Sequence, residues 1–167
     1  MRRFVLGWKQ LGHESRFRAR IVNYADDFVI LCRGSAEQAM AAMRDMMQRL
    51  KLTVNEAKTR TCKLPTESFD FLSYTIGPYW SWPQRRMVLS TRPSAKAIKR
   101  LKAKISETTD RDQTLLDAET IVTRLNQMLA GWANYFCRGP VSEAYRTIDL
   151  HVRQRIRRWL VAEHKQT

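Results

Sequence analysis

Adjacent carboxylates at Asp26 and Asp27 are the residues of this sequence with the clearest capacity for chemistry. They lie between two short apolar stretches, 20–22 and 29–32, whose β-branched residues predict two strands that meet at a tight turn. Asp is common in turns, so a solvated Asp-Asp turn is the simple interpretation. Two neighbouring carboxylates nevertheless repel each other and are costly to desolvate. A hard divalent cation such as Mg²⁺ relieves both problems because it binds carboxylate oxygens.

The segment that follows this hairpin predicts a helix. Gly34 ends the second strand, and Ser35 stands where its side chain can cap the helix while Gln38 reaches back, which is a capping box. Methionines recur at helical spacing as far as Leu50, a pattern that is more often core than binding groove.

Further strands are predicted at 59–64 and at 69–77, and the second of these stretches is rich in aromatic and β-branched residues. We expect the 20–32 hairpin to lie beside these strands, with the 35–50 helix on one face. The proline-containing and tryptophan-containing stretch 78–93 predicts a hairpin-bearing connection and a domain boundary.

The remainder of the chain predicts three amphipathic helices that form a small bundle. Ser94 caps the first helix, and Gly139-Pro140 separates the second from the third. The candidate RNA-binding residues are basic residues opposite the apolar face of the first helix and at the end of the third: Lys96, Lys99, Arg100, Lys104, Arg153, Arg155, Arg157 and Arg158. The arginine cluster of the third helix could also be a solvated helix end.

Composition narrows the classes of protein. The chain has 167 residues, of which 44% are hydrophobic, so it can bury a core and form one or two small domains. Its 30 Lys and Arg against 16 Asp and Glu leave a net charge of +14, spread over both halves of the chain. This excess favours a polyanionic partner, most commonly nucleic acid, although a ribosomal-type or membrane-surface protein shares it. Three isolated cysteines are typical of a reducing cytoplasm, and no apolar run is long enough for a membrane span.

The hairpin carries a resemblance to a known family. Tyr24-Ala25-Asp26-Asp27 between apolar strands resembles the catalytic hairpin of a reverse transcriptase palm, and 20–33 resembles the group II intron reverse transcriptases, or maturases. The resemblance implies that Asp26 and Asp27 are catalytic and bind Mg²⁺, and that Tyr24 and Ala25 lie near the nucleotide or primer. It also implies that Lys58 supplies positive charge near the triphosphate.

Two more segments extend the resemblance. Residues 69–77 resemble the primer-grip strand, so Phe71, Leu72 and Gly77 are implied to contact the primer, although Ser73 replaces the usual glycine. Gly-Trp-Ala-Asn-Tyr-Phe at 131–136 resembles the maturase-specific thumb motif.

From this motif we expect buried Trp132 and Phe136, and RNA contacts from the basic faces of neighbouring helices. The implied fold is α+β: a partial palm with a β-hairpin, short antiparallel strands and one helix at 1–93, then a three-helix thumb bundle at 94–167. The implied partners are group II intron RNA and RNA/DNA hybrids.

One departure from the family concerns the metal site. Polymerase palms use three carboxylates, and Glu14, in a stretch without a strand pattern, is the only acidic residue before the hairpin. We therefore expect weak Mg²⁺ binding and no polymerisation by this chain alone. The chain is interpreted as a fragment of a group II intron reverse transcriptase that assists splicing or mobility, with an upstream fragment carrying the fingers and the rest of the palm. The alternative is a non-catalytic RNA-binding thumb module or a decayed gene remnant.

Overall fold

The computed structural model describes residues 1–113 and 115–164 of the chain. Within these residues, six α-helices and two small antiparallel sheets confirm the predicted α+β class. The chain divides into two compact units, Met1–Cys62 and Lys63–Thr167, each with its own hydrophobic core. The sequence places the boundary after residue 93 instead, and the division into a palm portion at 1–93 and a thumb domain at 94–167 stays a prediction.

The first unit begins with two helices, α1 (Arg2–Gln10) and α2 (His13–Arg16). Strands β1 (Ala19–Tyr24) and β2 (Asp27–Cys32) then pair antiparallel, which confirms the predicted hairpin. Helix α3 (Ala36–Arg49) completes the unit.

The core of this unit lies between the helices and one face of the hairpin. Phe4 and Trp8 of α1 are fully buried, and methionines of α3 pack with them, as the methionine spacing predicts. Strand alternation directs Ile21 and Ile30, which pair across the hairpin, toward this core. The opposite face of the hairpin, with Tyr24, is exposed.

Half of the predicted capping box is present at the start of α3. The Ser35 Oγ atom accepts a hydrogen bond from the Gln38 backbone N–H at 3.3 Å. The same hydroxyl donates to the Glu37 carboxylate at 3.0 Å, a bond that is not the reciprocal bond of a capping box, in which the Gln38 side chain accepts from the Ser35 N–H.

The predicted strand at 59–64 is wrong, because local turns use the backbone groups at both ends of this segment. The Thr59 N–H donates to the Asn55 carbonyl at 3.0 Å. The Lys63 N–H donates to the Glu67 carboxylate at 2.7 Å, and the Glu67 N–H donates back to the Lys63 carbonyl. A strand needs these groups for a ladder with a neighbour.

The second unit contains a sheet of three strands in the order β3-β4-β5: β3 (Phe69–Phe71), β4 (Tyr74–Ser81) and β5 (Arg86–Pro93). The predicted single strand at 69–77 is wrong, because Leu72 and Ser73 have φ angles of 49° and 66° and form a two-residue hairpin turn. Among the described residues the strands form two separate sheets, β1-β2 and β3-β4-β5. The expected position of the 20–32 hairpin beside the later strands stays a prediction.

Three helices follow the sheet, as predicted: α4 (Ala95–Thr108), α5 (Ala118–Tyr135) and α6 (Ser142–Glu163). Their apolar faces meet in a core that includes Ile105, Leu125 and Trp159. The Ser94 Oγ atom accepts from the Ala97 N–H at 3.2 Å, which confirms the predicted cap of α4. In the part of the chain that the structure describes, no helix combines the length and hydropathy needed to cross a bilayer.

Candidate nucleic-acid interface

A groove of about 910 Å³ opens where α4 and α6 end. Its lining combines four arginines with one carboxylate, so the groove is positively charged. The residues of this arginine groove are Thr109, Asp110, Arg111, Arg155, Arg157, Arg158, Trp159, Val161 and Ala162. The sequence predicts three of its arginines as an RNA-binding cluster.

Arg155 differs from the other predicted arginines because its guanidinium holds the C-terminus of α4. It donates to the Ser106 carbonyl at 2.6 Å, to the Thr109 carbonyl at 2.9 Å and to the Thr109 hydroxyl at 2.9 Å. Only 19% of its side chain is exposed. Helix ends leave carbonyls without partners, and a guanidinium that satisfies them stabilises the fold. The geometry therefore gives Arg155 a structural role that the sequence did not indicate.

His151 makes a second connection between α6 and α4. Its Nε2 atom lies 3.0 Å from the Lys102 carbonyl oxygen and 3.0 Å from the Ser106 hydroxyl. Because a carbonyl only accepts, we assign the ring proton to Nε2. Burial lowers the pKa of His151, and the nearby charges of Lys102, Arg155 and Arg158 lower it further. The ring thus connects α6 to the second half of α4.

The remaining predicted basic residues of the helices lie at the surface. Lys96, Lys99, Arg100 and Lys104 are all exposed and form the basic face of α4. Arg100 also donates to the Ser73 hydroxyl at 3.3 Å. Arg153, Arg157 and Arg158 are exposed on α6. Exposed cations on two packed helices form a surface that can follow a phosphate backbone.

The aromatic motif at 131–136 joins α5 to the β-sheet of the second unit. The Tyr74 hydroxyl donates to the Tyr135 carbonyl at 2.6 Å, and the Tyr135 hydroxyl donates to the Leu72 carbonyl at 2.9 Å. Burial raises the pKa of Tyr74, so its hydroxyl stays protonated and can donate. Phe136 lies under this pair, 4.9 Å from the Tyr74 ring.

The two burial predictions for this motif have different outcomes. Phe136 is buried as expected, whereas Trp132 is only partly buried. Trp132 packs on Phe136 at 4.5 Å and on Tyr145 at 5.8 Å. The Tyr145 hydroxyl donates to the Ala133 and Phe136 carbonyls at 3.2 and 3.0 Å, which closes the C-terminus of α5. The motif thus connects α5 to the sheet and to α6 within the second unit, and we call residues 131–136 the aromatic joint.

Asp26 and Asp27 lie at the tip of the β1–β2 hairpin. Ala25 and Asp26 form the two-residue turn, Ala25 has a φ of 49°, and Asp27 pairs with Tyr24 as the first residue of β2. Both carboxylates are exposed, and 66% of Tyr24 is exposed beside them. A left-handed alanine is uncommon and tends to persist at functional turns.

The carboxylates of this tip do not by themselves fit a pair of magnesium ions. Among the described residues, no group of three or more His, Cys, Asp or Glu side chains is placed to hold a metal. Glu14 is engaged elsewhere, because its carboxylate accepts a hydrogen bond from the Ile21 N–H at 3.3 Å. Two adjacent exposed carboxylates leave most of the coordination of a cation to water.

The other residues assigned by resemblance occupy varied positions. Lys58 is exposed in a turn of the first unit. Phe71 ends β3, and Leu72 belongs to the turn after it. Gly77 is buried in β4, where a Cβ atom would collide with Ser68. Close packing on Ser68 therefore explains glycine at this position, and primer contact by these residues stays a prediction.

Sequence reasoning missed part of the arginine groove and the hydrogen bonds made by the motif at 131–136. Arg111 and Trp159 line the groove, but their spacing along the chain gives no signal that they meet. The hydroxyls of Tyr74 and Tyr135 could have been suspected, because a half-exposed tyrosine in a packed motif usually places its hydroxyl on a carbonyl. Only the tertiary structure identifies the partners.

Fold and surface together define a basic α+β protein whose helical unit presents a cationic groove. Residues 98–167 match a family model described as the group II intron, maturase-specific domain. The match covers α5, α6, most of α4 and the whole arginine groove, so the helical part of the chain is similar to that domain. The match leaves the hairpin and the β3–β5 sheet outside its range. No curated protein matches the chain.

Proposed function

We propose that this protein binds group II intron RNA through the arginine groove and the basic face of α4, and that binding assists splicing or mobility of the intron. The observation that carries this proposal is the positive groove inside the segment that matches the maturase-specific domain. The net charge of +14 adds long-range attraction for a polyanion.

The groove and the α4 face have the properties that phosphate binding needs. Arg157 and Arg158 are exposed, whereas Arg155 is held against α4 and keeps the groove wall in place. Guanidinium groups bind phosphate oxygens bidentately, and each neutralised phosphate releases counterions. Binding should therefore weaken steeply with salt.

The test is RNA affinity measured over a range of salt concentrations with a structured group II intron RNA. The double variant Arg157→Glu and Arg158→Glu should weaken binding and reduce the salt slope by about 1–2, since each lost phosphate contact contributes about 0.9 or less. Arg2→Glu with Arg3→Glu, at exposed positions of α1, makes the same change in net charge and is the matched control.

Two results would contradict the proposal. The first is the absence of measurable RNA binding at low salt. The second is an equal loss of affinity in the groove variant and the α1 control, because equal losses would reflect net charge alone. An intron-excision assay with wild type, the groove variant and the α1 control then asks whether binding assists splicing.

Reverse transcription is a second candidate function, favoured by the exposed carboxylate pair beside Tyr24. Under this proposal Asp26 and Asp27 bind Mg²⁺ together with a third carboxylate from an upstream fragment, which also supplies the fingers. When bound, the metal would activate the primer hydroxyl and neutralise the triphosphate. The chain's own carboxylates would hold and orient that charge.

Primer extension with and without such a fragment tests this second candidate. The chain alone should remain near background, because its described residues bring no third carboxylate to Asp26 and Asp27. Activity that appears with the fragment should disappear in Asp26→Ala and persist in Asp45→Ala, an exposed carboxylate on α3. Failure of every complementing fragment would instead favour a non-catalytic RNA-binding module.

A further inference from the structure

The tip of the β4–β5 hairpin carries the most exposed tryptophan of the described chain. Trp82, in the turn after β4, is 78% exposed, and Trp80, near the end of β4, is 42% exposed. Their ring centroids are 6.2 Å apart in an edge-to-face arrangement. Large rings are costly to leave in water, and an open aromatic pair at a hairpin tip indicates a ligand.

The charges around the pair identify the class of this ligand. Residues 74–93 contain no Asp or Glu, but they contain three arginines, Arg85, Arg86 and Arg92. Arg85 and Arg86 lie in and next to the turn and are exposed. Arg86 donates to the Gln84 side chain at 3.1 Å, which keeps its guanidinium at the tip. A hairpin with exposed rings and only positive charge suits an anion with flat apolar groups.

Single-stranded nucleic acid has this chemistry. Its bases stack on aromatic side chains irrespective of sequence, while its phosphates bind neighbouring cations. Bases of a duplex are already stacked and cannot reach an exposed ring. We infer that Trp82, supported by Trp80, is a stacking platform for an unpaired base of RNA, and that Arg85 and Arg86 bind the adjoining phosphates.

This inference rests on the proposed RNA-binding function and adds a second contact, outside the segment that matches the maturase-specific domain. The arginine groove binds phosphates of any strand, whereas the tip of the β4–β5 hairpin, with Trp82, distinguishes unpaired from paired RNA. Met87 is a control position for this inference, because it pairs with Trp80 across the hairpin and is 56% exposed. Its side chain is apolar but has no aromatic ring on which a base could stack.

The experiment compares two labelled single strands of about 12 nucleotides, one of uridines and one of abasic residues with the same phosphates. Affinities for the full chain are measured by fluorescence anisotropy at fixed salt. Trp82→Ala should weaken binding of the uridine strand by roughly 5-fold to 100-fold, the range for loss of one stacked base, and leave the abasic strand unchanged. Trp82→Phe should retain part of the preference, and Met87→Ala should change neither affinity by more than about twofold.

Several results would overturn the inference. If Trp82→Ala weakens both strands equally, no base stacks on the ring. If Met87→Ala costs as much as Trp82→Ala, the tip is a general apolar surface, as expected for docking of a protein. A wild-type chain that binds both strands with equal affinity also contradicts the inference.

The groove variant separates this inference from the proposed function. Arg157→Glu with Arg158→Glu should weaken both strands by the same factor and preserve the uridine preference. If the groove variant has no effect while Trp82→Ala weakens only the uridine strand, RNA binding by the arginine groove is wrong and the stacking inference is supported. If the groove variant acts and Trp82→Ala does not, the platform alone fails. If wild-type protein binds neither strand, both fail.

Discussion

Two motifs of this chain resemble motifs of the maturases: the carboxylate tip at 23–28 and the aromatic joint at 131–136. They differ in how far their side chains are buried and hydrogen-bonded to the rest of the protein. At the tip, Tyr24, Asp26 and Asp27 are exposed on a two-residue turn. At the joint, tyrosine hydroxyls donate to backbone carbonyls and Phe136 is buried. Groups that meet a ligand must remain accessible, whereas groups that hold a fold must be satisfied internally. The longest motif of the chain is therefore structural.

The largest loss of stability should come from Gly139→Ala, in the loop that follows the joint. Gly139 has a φ of 80°, and a Cβ atom there would collide with the Thr91 carbonyl of β5. Thermal or denaturant unfolding should show a loss of about 3 kcal/mol or more. Gly131→Ala, inside α5 with open space around it, should stabilise the protein by about 0.5–1 kcal/mol. The same sign for both variants would contradict this account.

Arg155→Met should have the next largest effect. The change keeps the apolar stem and removes donors from two carbonyls and a hydroxyl at the end of α4, which should cost about 2–3 kcal/mol in unfolding free energy. Arg157→Met, two residues further along α6, should leave stability within about 0.5 kcal/mol and reduce RNA affinity. Equal stability of the two variants would remove the distinction between a structural and a binding arginine.

The joint itself can be tested with Tyr135→Phe, which should cost about 1 kcal/mol because one hydrogen bond to the Leu72 carbonyl is lost. Tyr74→Phe should cost a similar amount. A double-mutant cycle measures whether the two hydrogen bonds act together. Tyr24→Phe, at the exposed carboxylate tip, is the control and should have no measurable effect on unfolding.

His151 should make the second unit less stable in acid. Its folded-state pKa lies below the ordinary value of 6.5, so below that pH the unfolded chain binds a proton that the folded chain excludes. Stability should fall as pH drops through 6.5 and level off below the folded pKa. Comparison of unfolding free energies of wild type and His151→Gln between about pH 7 and 5 should show a shallower decline in the variant. Parallel curves would exclude a contribution from this ring.

Asp26→Ala should have the smallest effect on stability, within about 0.5 kcal/mol, because the carboxylate is exposed on a turn. Ala25→Gly should stabilise the hairpin by about 1 kcal/mol, since glycine adopts the positive φ of this position without strain. A large loss in Asp26→Ala would show that the tip is held together by its carboxylates, and the contrast with the joint would disappear.

Local patterns in the sequence determined the hairpin, its turn, the caps at Ser35 and Ser94 and the three helices. Each of these depends on neighbours a few residues apart, through alternation, helical spacing or a side chain that caps its own helix. The carboxylate tip and the exposed lysines of α4 belong to this group. Their positions follow from the period of a single element.

Only the tertiary structure decided which residues of a motif are free. Arg155 and Arg157 are alike in sequence, but contacts with the end of α4, more than forty residues away, engage one and leave the other exposed. The strand predicted at 59–64 is wrong for a related reason. A strand forms only where its backbone groups can pair with a neighbouring strand. In this segment local turns use those groups instead, as when the Lys63 N–H donates to the Glu67 carboxylate. Long-range partners are chosen by packing, and no short stretch of sequence contains that information.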